Sequence, residues 1–176
     1  MEPAVKPVIT ALPSEKDSQG VKAVGIIEAH PEVVWRVLID YDHIYTENVK
    51  WQRIIKQEGN ITWLYVYSKI KTFTFAYVLR LTAVEEGRHL TWDEDRSDEI
   101  VNLLKEQDLK LTCDFAVNRG DWILDTDDRG RTILTYIPWL ALSNKLLNFF
   151  REFALKTSIP GLYNAIQKRA REITGG

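Results

Sequence analysis

The 176 residues suit one domain, long enough to bury a core that needs neither metal nor disulfide to fold. Twenty-three basic and 25 acidic side chains give a formal net charge of −2, so the overall balance argues against a nucleic-acid partner. The lone Cys113 excludes an internal disulfide and a cysteine-built metal site, and no apolar run reaches the roughly 18 residues that a membrane-spanning helix needs.

Six Trp within an 11% aromatic content fit either a bulky core or an aromatic-lined pocket. The opening residues, MEPAVKPVITALPSEKDSQG, hold three prolines and no basic-then-apolar signal pattern. Residues 1–19 are expected to be extended or mobile, because proline blocks regular ladders, with residues 20–174 as a single domain. The compartment stays open: cytoplasmic as written, periplasmic or secreted if a leader has been removed.

VKAVGIIEA, residues 21–29, reads as a strand. Pro31 then sits where a helix's first turn tolerates its missing N–H, with His30 as an imperfect cap. Val33, Val34, Val37 and Leu38 recur at helical spacing up to Asp40-Tyr41-Asp42, and a second short helix or loop is expected over about 43–51. From Gln52 the period becomes two. Glu58-Gly59-Asn60 and Glu86-Gly87-Arg88 read as hairpin turns. Alternation turns Phe75, Tyr77, Leu79 and Leu81 inward, opposite Arg80 and Thr82, and turns Leu90 and Trp92 inward likewise. The strand over 62–67, with Trp63, Tyr65 and Tyr67, is apolar on both faces, so its orientation stays open.

SDEIVNLLKEQD, residues 97–108, interrupts the strands with one short helical face. Next come LKLTCDFAV, a turn at Asn118-Arg119-Gly120, DWILDTD with Trp122 inward, a hairpin at Asp127-Asp128-Arg129-Gly130, and RTILTYIPWLAL. The C-terminal part is an amphipathic helix capped by Ser143. Leu146, Leu147, Phe150, Phe153 and Ala154 form its apolar face. Pro160 either kinks it or starts a new helix, and Leu162, Tyr163, Ile166 and Ala170 continue the stripe.

This order defines an α+β fold: a curved antiparallel sheet wrapped around a long C-terminal helix, an arrangement that often leaves a cavity between the two. The chain resembles the START-like, or polyketide cyclase/dehydrase and lipid-transport, superfamily with its helix-grip fold. The resemblance rests on EAHPEVVWRVLIDYDH at 28–43, NRGDWILD at 118–125, RTILTYIPW at 131–139 and IPGLYNAIQKRARE at 159–172, and covers most of residues 21–173. It implies an internal site for an apolar ligand without fixing the chemistry, because fold does not determine function. The stretch 97–113 is longer than the link expected there, as either a lid or a decorated loop.

The expected cavity lining is Trp63, Tyr65, Tyr67, Phe75, Tyr77, Leu79, Trp92, Trp122, Tyr136, Phe150, Phe153 and Tyr163. The tyrosine hydroxyls could orient a ligand's polar group or bond to their own scaffold. Glu94 follows Trp92 by two, so it either points inward as a polar anchor with a raised pKa or sits in solvent where the strand ends. No G-x-S-x-G, P-loop or G-x-G-x-x-G occurs, and His30, His43 and His89 are scattered, so no cofactor or metal is expected. The expected function is a noncatalytic carrier or sequestering protein for a lipid or other hydrophobic small molecule. A cyclase- or dehydratase-type enzyme using the same cavity is the alternative. A protein-interaction module would instead expose an apolar patch near Trp139 and Phe149. Contact with a membrane would be transient, and oligomeric state is not legible.

Overall fold

The computed structural model describes residues 4–15, 18–43, 48–70, 72–112, 115–142 and 148–175, and the side chains of residues 70, 142 and 148–157 lie outside the description. Its chain order is β1 (Val8–Ala11), β2 (Gln19–Ile27), α1 (Pro31–Leu38), β3 (Val49–Glu58), β4 (Ile61–Ile70), β5 (Phe73–Glu85), β6 (His89–Glu94), α2 (Asp98–Glu106), β7 (Phe115–Thr126), β8 (Thr132–Leu142) and α3 (Asn148–Thr174). The strands form one antiparallel, open, eight-stranded sheet in the order β1-β2-β8-β7-β6-β5-β4-β3. β2 thus pairs with the last strand, and α1 carries the chain across to the far edge, where β3 begins a meander back.

The period of two explains the meander. Turns at Gly59, Gly87 and Gly130 each adopt positive φ, which glycine alone tolerates freely, and these fix the three hairpins expected from sequence. Pro31 opens α1 as expected, but His30 makes no side-chain cap bond. Instead its carbonyl accepts the Val33 and Val34 N–H groups.

The sheet's inner face buries Val21, Ala23, Ile27, Leu64, Val66, Leu81, Leu90, Leu124 and Leu134 against α1 and α3. From α3 come Ile159, Tyr163, Ile166 and Ala170, spaced to share one face. On the outer face a second cluster packs Trp63, Tyr65, Ala76 and Val78 beneath Ile100 and Leu104 of α2.

Several expectations change. The N-terminal segment is extended, but the ladder that proline was expected to block forms: Val8–Ala11 pairs with β2, and the Val5 N–H donates to Asn164 Oδ1 at 2.7 Å. Strand β3 begins at Val49, inside the span expected as a second helix or loop, and residues 44–47 lie outside the description. Asn118-Arg119-Gly120 is not a turn, since β7 runs through it, and residues 109–112 precede β7 without being a strand. Of the two alternatives for Pro160, a kink or a new helix, the second does not hold, because α3 runs on both sides of it. The buried stripe around it and a 2.8 Å bond from Asn164 Nδ2 to the Pro160 carbonyl outweigh the missing N–H. Ser143, Leu146 and Leu147 lie outside the described residues, as do the side chains of Phe149, Phe150, Phe153 and Ala154.

Candidate functional site

Strand register decides which aromatic side chains meet. Leu79 opposes Glu94, Leu81 opposes Trp92, Leu90 opposes Trp122, and Trp122 opposes Tyr136. These pairs place Phe75, Tyr77, Leu79, Trp92, Trp122 and Tyr136 on the inner face together, with Tyr163 reaching them from α3. The rings of Trp122 and Tyr136 stack with centroids 4.0 Å apart, and Trp92 lies 5.4 Å from Tyr136 and 6.3 Å from Trp122. Toward the β4–β5 hairpin the row continues through Phe115, which meets Tyr77 edge-on at 5.3 Å and stacks on Phe75 at 6.3 Å. Tyr77, Leu79, Trp122 and Tyr136 are only half-buried although they pack against the inner core.

Phe115 escaped the sequence reading. Counting back by twos from Trp122 puts it on the outer face. A bulge between Phe115 and Val117 shifts the register and pairs Phe115 with Leu142, which turns it inward. The only sequence signal was an aromatic residue at the start of a strand, which does not reveal a bulge.

Trp63, Tyr65 and Tyr67 do not join this row, contrary to the expected lining. They occupy the opposite face, where the scaffold uses their polar ends. The Trp63 indole N–H donates to Asp95 Oδ2 at 2.8 Å, and the Tyr65 hydroxyl donates to the Lys110 carbonyl at 3.0 Å. β4 is apolar on both faces because both faces are covered, the outer one by α2 and the segment after it. Residues 97–112 therefore cover the outer face rather than the inner one. Of the remaining expected lining residues, Phe150 and Phe153 belong to α3, with side chains outside the description.

Glu94 ends β6 on the inner face with its side chain 7% exposed, and it accepts a hydrogen bond from Arg96 Nε. The side chain is therefore not in solvent, and Arg96 is its cationic partner. It borders a cleft of about 460 Å³ at one end of the inner face, shared with Arg96, Phe115 and Asn118. At the other end a cleft of about 590 Å³ opens beneath α1, lined by Trp35, Ile39, Tyr41, Leu81 and Leu90. By register, the aromatic stack lies between the two.

The tyrosines here are neutral hydrogen-bonding groups. Burial raises the hydroxyl pKa of Tyr136, with the Tyr77 hydroxyl adding to the shift, and burial pushes Tyr41 up to about 12. Burial also raises Tyr163, whose hydroxyl contacts the Ala23 and Leu134 carbonyls, each at 2.9 Å. None can serve as a phenolate base near neutral pH. Among the described residues, no three His, Cys, Asp or Glu side chains cluster to hold a metal.

No family model and no curated protein sequence matches the chain. Solved structures do match in shape. The Zhui aromatase/cyclase from Streptomyces sp. R1128 superposes with a TM-score of 0.68 at 13% identity, over 90% of this chain and 99% of that one. A START superfamily protein from Mycobacterium smegmatis gives 0.65 at 11% identity, over 88% and 98%. Human STARD10 gives 0.68 at 11%, over 95% of this chain and 76% of its own. The chain therefore has the START-like helix-grip fold, the architecture expected from its sequence.

Proposed function

We propose that this protein binds an apolar small molecule or lipid between the inner face of the sheet and α3, as a noncatalytic carrier. The observation that carries the reading is the row Trp92, Trp122 and Tyr136, in which Trp122 and Tyr136 keep accessible surface within an otherwise buried inner face. Aromatic rings that stay partly uncovered there gain free energy by being covered. At about 25 cal/mol per Å², hiding roughly 300 Å² of ligand contributes on the order of 7 kcal/mol before association costs. Along the strands the row is flanked by two clefts, one bordered by Glu94 and Phe115 and the other by Leu81 and Leu90.

A second reading has its own observation. Glu94 is nearly buried on the inner face, so an enzyme of the cyclase or dehydratase kind would use it as a general acid or base. Its hydrogen bond from Arg96 occupies one carboxylate oxygen in a scaffold contact, which supports the carrier reading.

The test is native mass spectrometry of the protein purified from cells, followed by organic extraction, and a titration of the stripped protein with long-chain fatty acid and with a fused-ring aromatic. A stoichiometric apolar adduct, or saturable quenching of Trp fluorescence, is the expected result. Bare protein that quenches with neither probe overturns the carrier reading.

A further inference from the structure

Charge along this chain is segregated in a way the total hides. Residues 48–84 hold six basic side chains, Lys50, Arg53, Lys56, Lys69, Lys71 and Arg80, against a single acidic one, Glu58. That is a net of +5 within a chain of net −2, so the remaining residues carry −7. Apart from Lys71, which lies outside the described residues, these charged residues are not scattered in space, because they lie on the ribbon β3-β4-β5 at one edge of the sheet.

At one end of that ribbon the start of β3, the end of β4 and the start of β5 come together. Trp51 pairs with Tyr67, Arg53 with Tyr65, and Lys69 with Thr74, and the Lys69 N–H donates to the Asn48 carbonyl at 2.7 Å. Trp51 is 39% exposed and Phe73 41% exposed. Trp51 is held in place by stacking on Tyr65 and Tyr67, with centroids 5.1 and 5.9 Å away. Arg53 bonds to Gln107, and neither Arg53 nor Lys69 pairs with a carboxylate among the described residues. Lys56 and Arg80 differ: Lys56 is bound by Glu58 and Glu99, and Arg80 lies 4.0 Å from Asp93.

We infer that this end of the ribbon is a docking surface for an anionic lipid bilayer, with Trp51 and Phe73 entering the interface and Arg53 and Lys69 meeting acidic headgroups. Aromatic side chains beside lysine and arginine suit the boundary between acyl chains and headgroups. Each basic group near such a surface contributes on the order of 1 kcal/mol, and no spanning helix is involved. Phe73 shares the inner face with Phe75, which meets Phe115, while Trp51, Arg53 and Lys69 lie on the outer face, so the surface wraps the end of the ribbon and adjoins the rim of the candidate cavity. A bilayer is the occupant that satisfies apolar and basic side chains on one edge at once. The surface does not depend on the ligand reading, since a protein with a filled interior would still dock.

The experiment is co-sedimentation of the full chain with phosphatidylcholine vesicles, and with vesicles in which phosphatidylglycerol replaces part of the phosphatidylcholine, at low and high salt. The expected result is salt-sensitive binding to the anionic vesicles alone. Arg53→Gln with Lys69→Gln should weaken it on the order of 25-fold. Phe73→Ser should weaken binding without changing its salt dependence. Lys168→Gln, which removes one charge at an exposed position of α3, should leave it unaltered. Unfolding curves like the wild type's establish that the variants are folded. Failure to sediment with anionic vesicles overturns the inference. So does equal loss in Lys168→Gln, or binding to single-stranded RNA in place of vesicles with the same sensitivity to the Arg53 and Lys69 changes.

Discussion

The ring of Trp92 lies on the backbone of Gly120, so close that a β-carbon there would come within 2.3 Å of it and within 2.5 Å of the Ile137 carbonyl oxygen. Trp92 and Gly120 are cross-strand partners, and glycine in β7 lets the indole lie flat over the sheet, where it stacks on Tyr136. Gly120→Ala must push the ring away or bend β7. The expected cost is about 1–3 kcal/mol, the range for forcing extra volume into a packed core. Urea denaturation measures it, and near-UV circular dichroism should show the aromatic stack perturbed. A variant as stable as the wild type with an unchanged aromatic spectrum would contradict this placement.

Tyr163 is anchored differently. Its buried hydroxyl lies 2.9 Å from both the Ala23 and Leu134 carbonyls, while its ring fills the space left by Gly25, where a β-carbon would sit 2.7 Å away. Tyr163→Phe keeps the ring and removes the hydroxyl, so it should cost about 1–2 kcal/mol. Gly25→Ala displaces the whole ring and should cost more. If thermal denaturation ranks the two the other way, the ring rather than the hydroxyl is the minor anchor.

Gly120 also shows where sequence reasoning reached its limit. Asn118-Arg119-Gly120 has turn composition, but a glycine in a strand equally marks close approach by another group, and only the partner across the sheet distinguishes them. The true turns were legible because positive φ at Gly59, Gly87 and Gly130 is a local demand written in local residues. Inward placement of Phe75, Tyr77, Leu79, Trp92 and Trp122 was legible for the same reason, since a strand with one polar face declares its orientation. Trp63, Tyr65 and Tyr67 were not, because α2 supplies a second apolar surface and erases the alternation. Phe115 was hidden by a bulge and the basic ribbon by an average, since a net charge of −2 conceals a local +5.

Asp95 fastens the outer cover. Its carboxylate accepts the Ser97 N–H at the start of α2 and the Trp63 indole N–H. Burial opposes its charge, but those donors and the nearby Arg80 outweigh burial and hold its pKa below the ordinary value. A depressed folded-state pKa means that the stabilisation is fully present above the unfolded value of about 3.9, and is lost as pH falls through the folded value. Asp95→Asn should therefore lower stability near neutrality by about 1–2 kcal/mol, with the gap to wild type closing as pH drops below about 4. Chemical denaturation at a series of pH values reads this directly. A gap independent of pH would mean that the carboxylate's charge is irrelevant to the clamp.

The two aromatic faces give a paired test of where an apolar ligand goes. Trp122 stacks on Tyr136 on the inner face and stays half-buried, whereas Trp63 lies on the outer face beneath α2 with its indole N–H spent on Asp95. Trp122→Ala removes contact area that a ligand would cover, and should weaken binding of an apolar fluorescent dye by about tenfold, or roughly 1.4 kcal/mol. Trp63→Phe deletes one hydrogen bond and some packing. It should lower the unfolding midpoint while leaving dye affinity within about twofold of the wild type. Measuring affinity and stability on both variants separates binding from folding. If Trp63→Phe lost affinity and Trp122→Ala kept it, the ligand would sit between α2 and the outer face, and the role assigned to the inner row would fall.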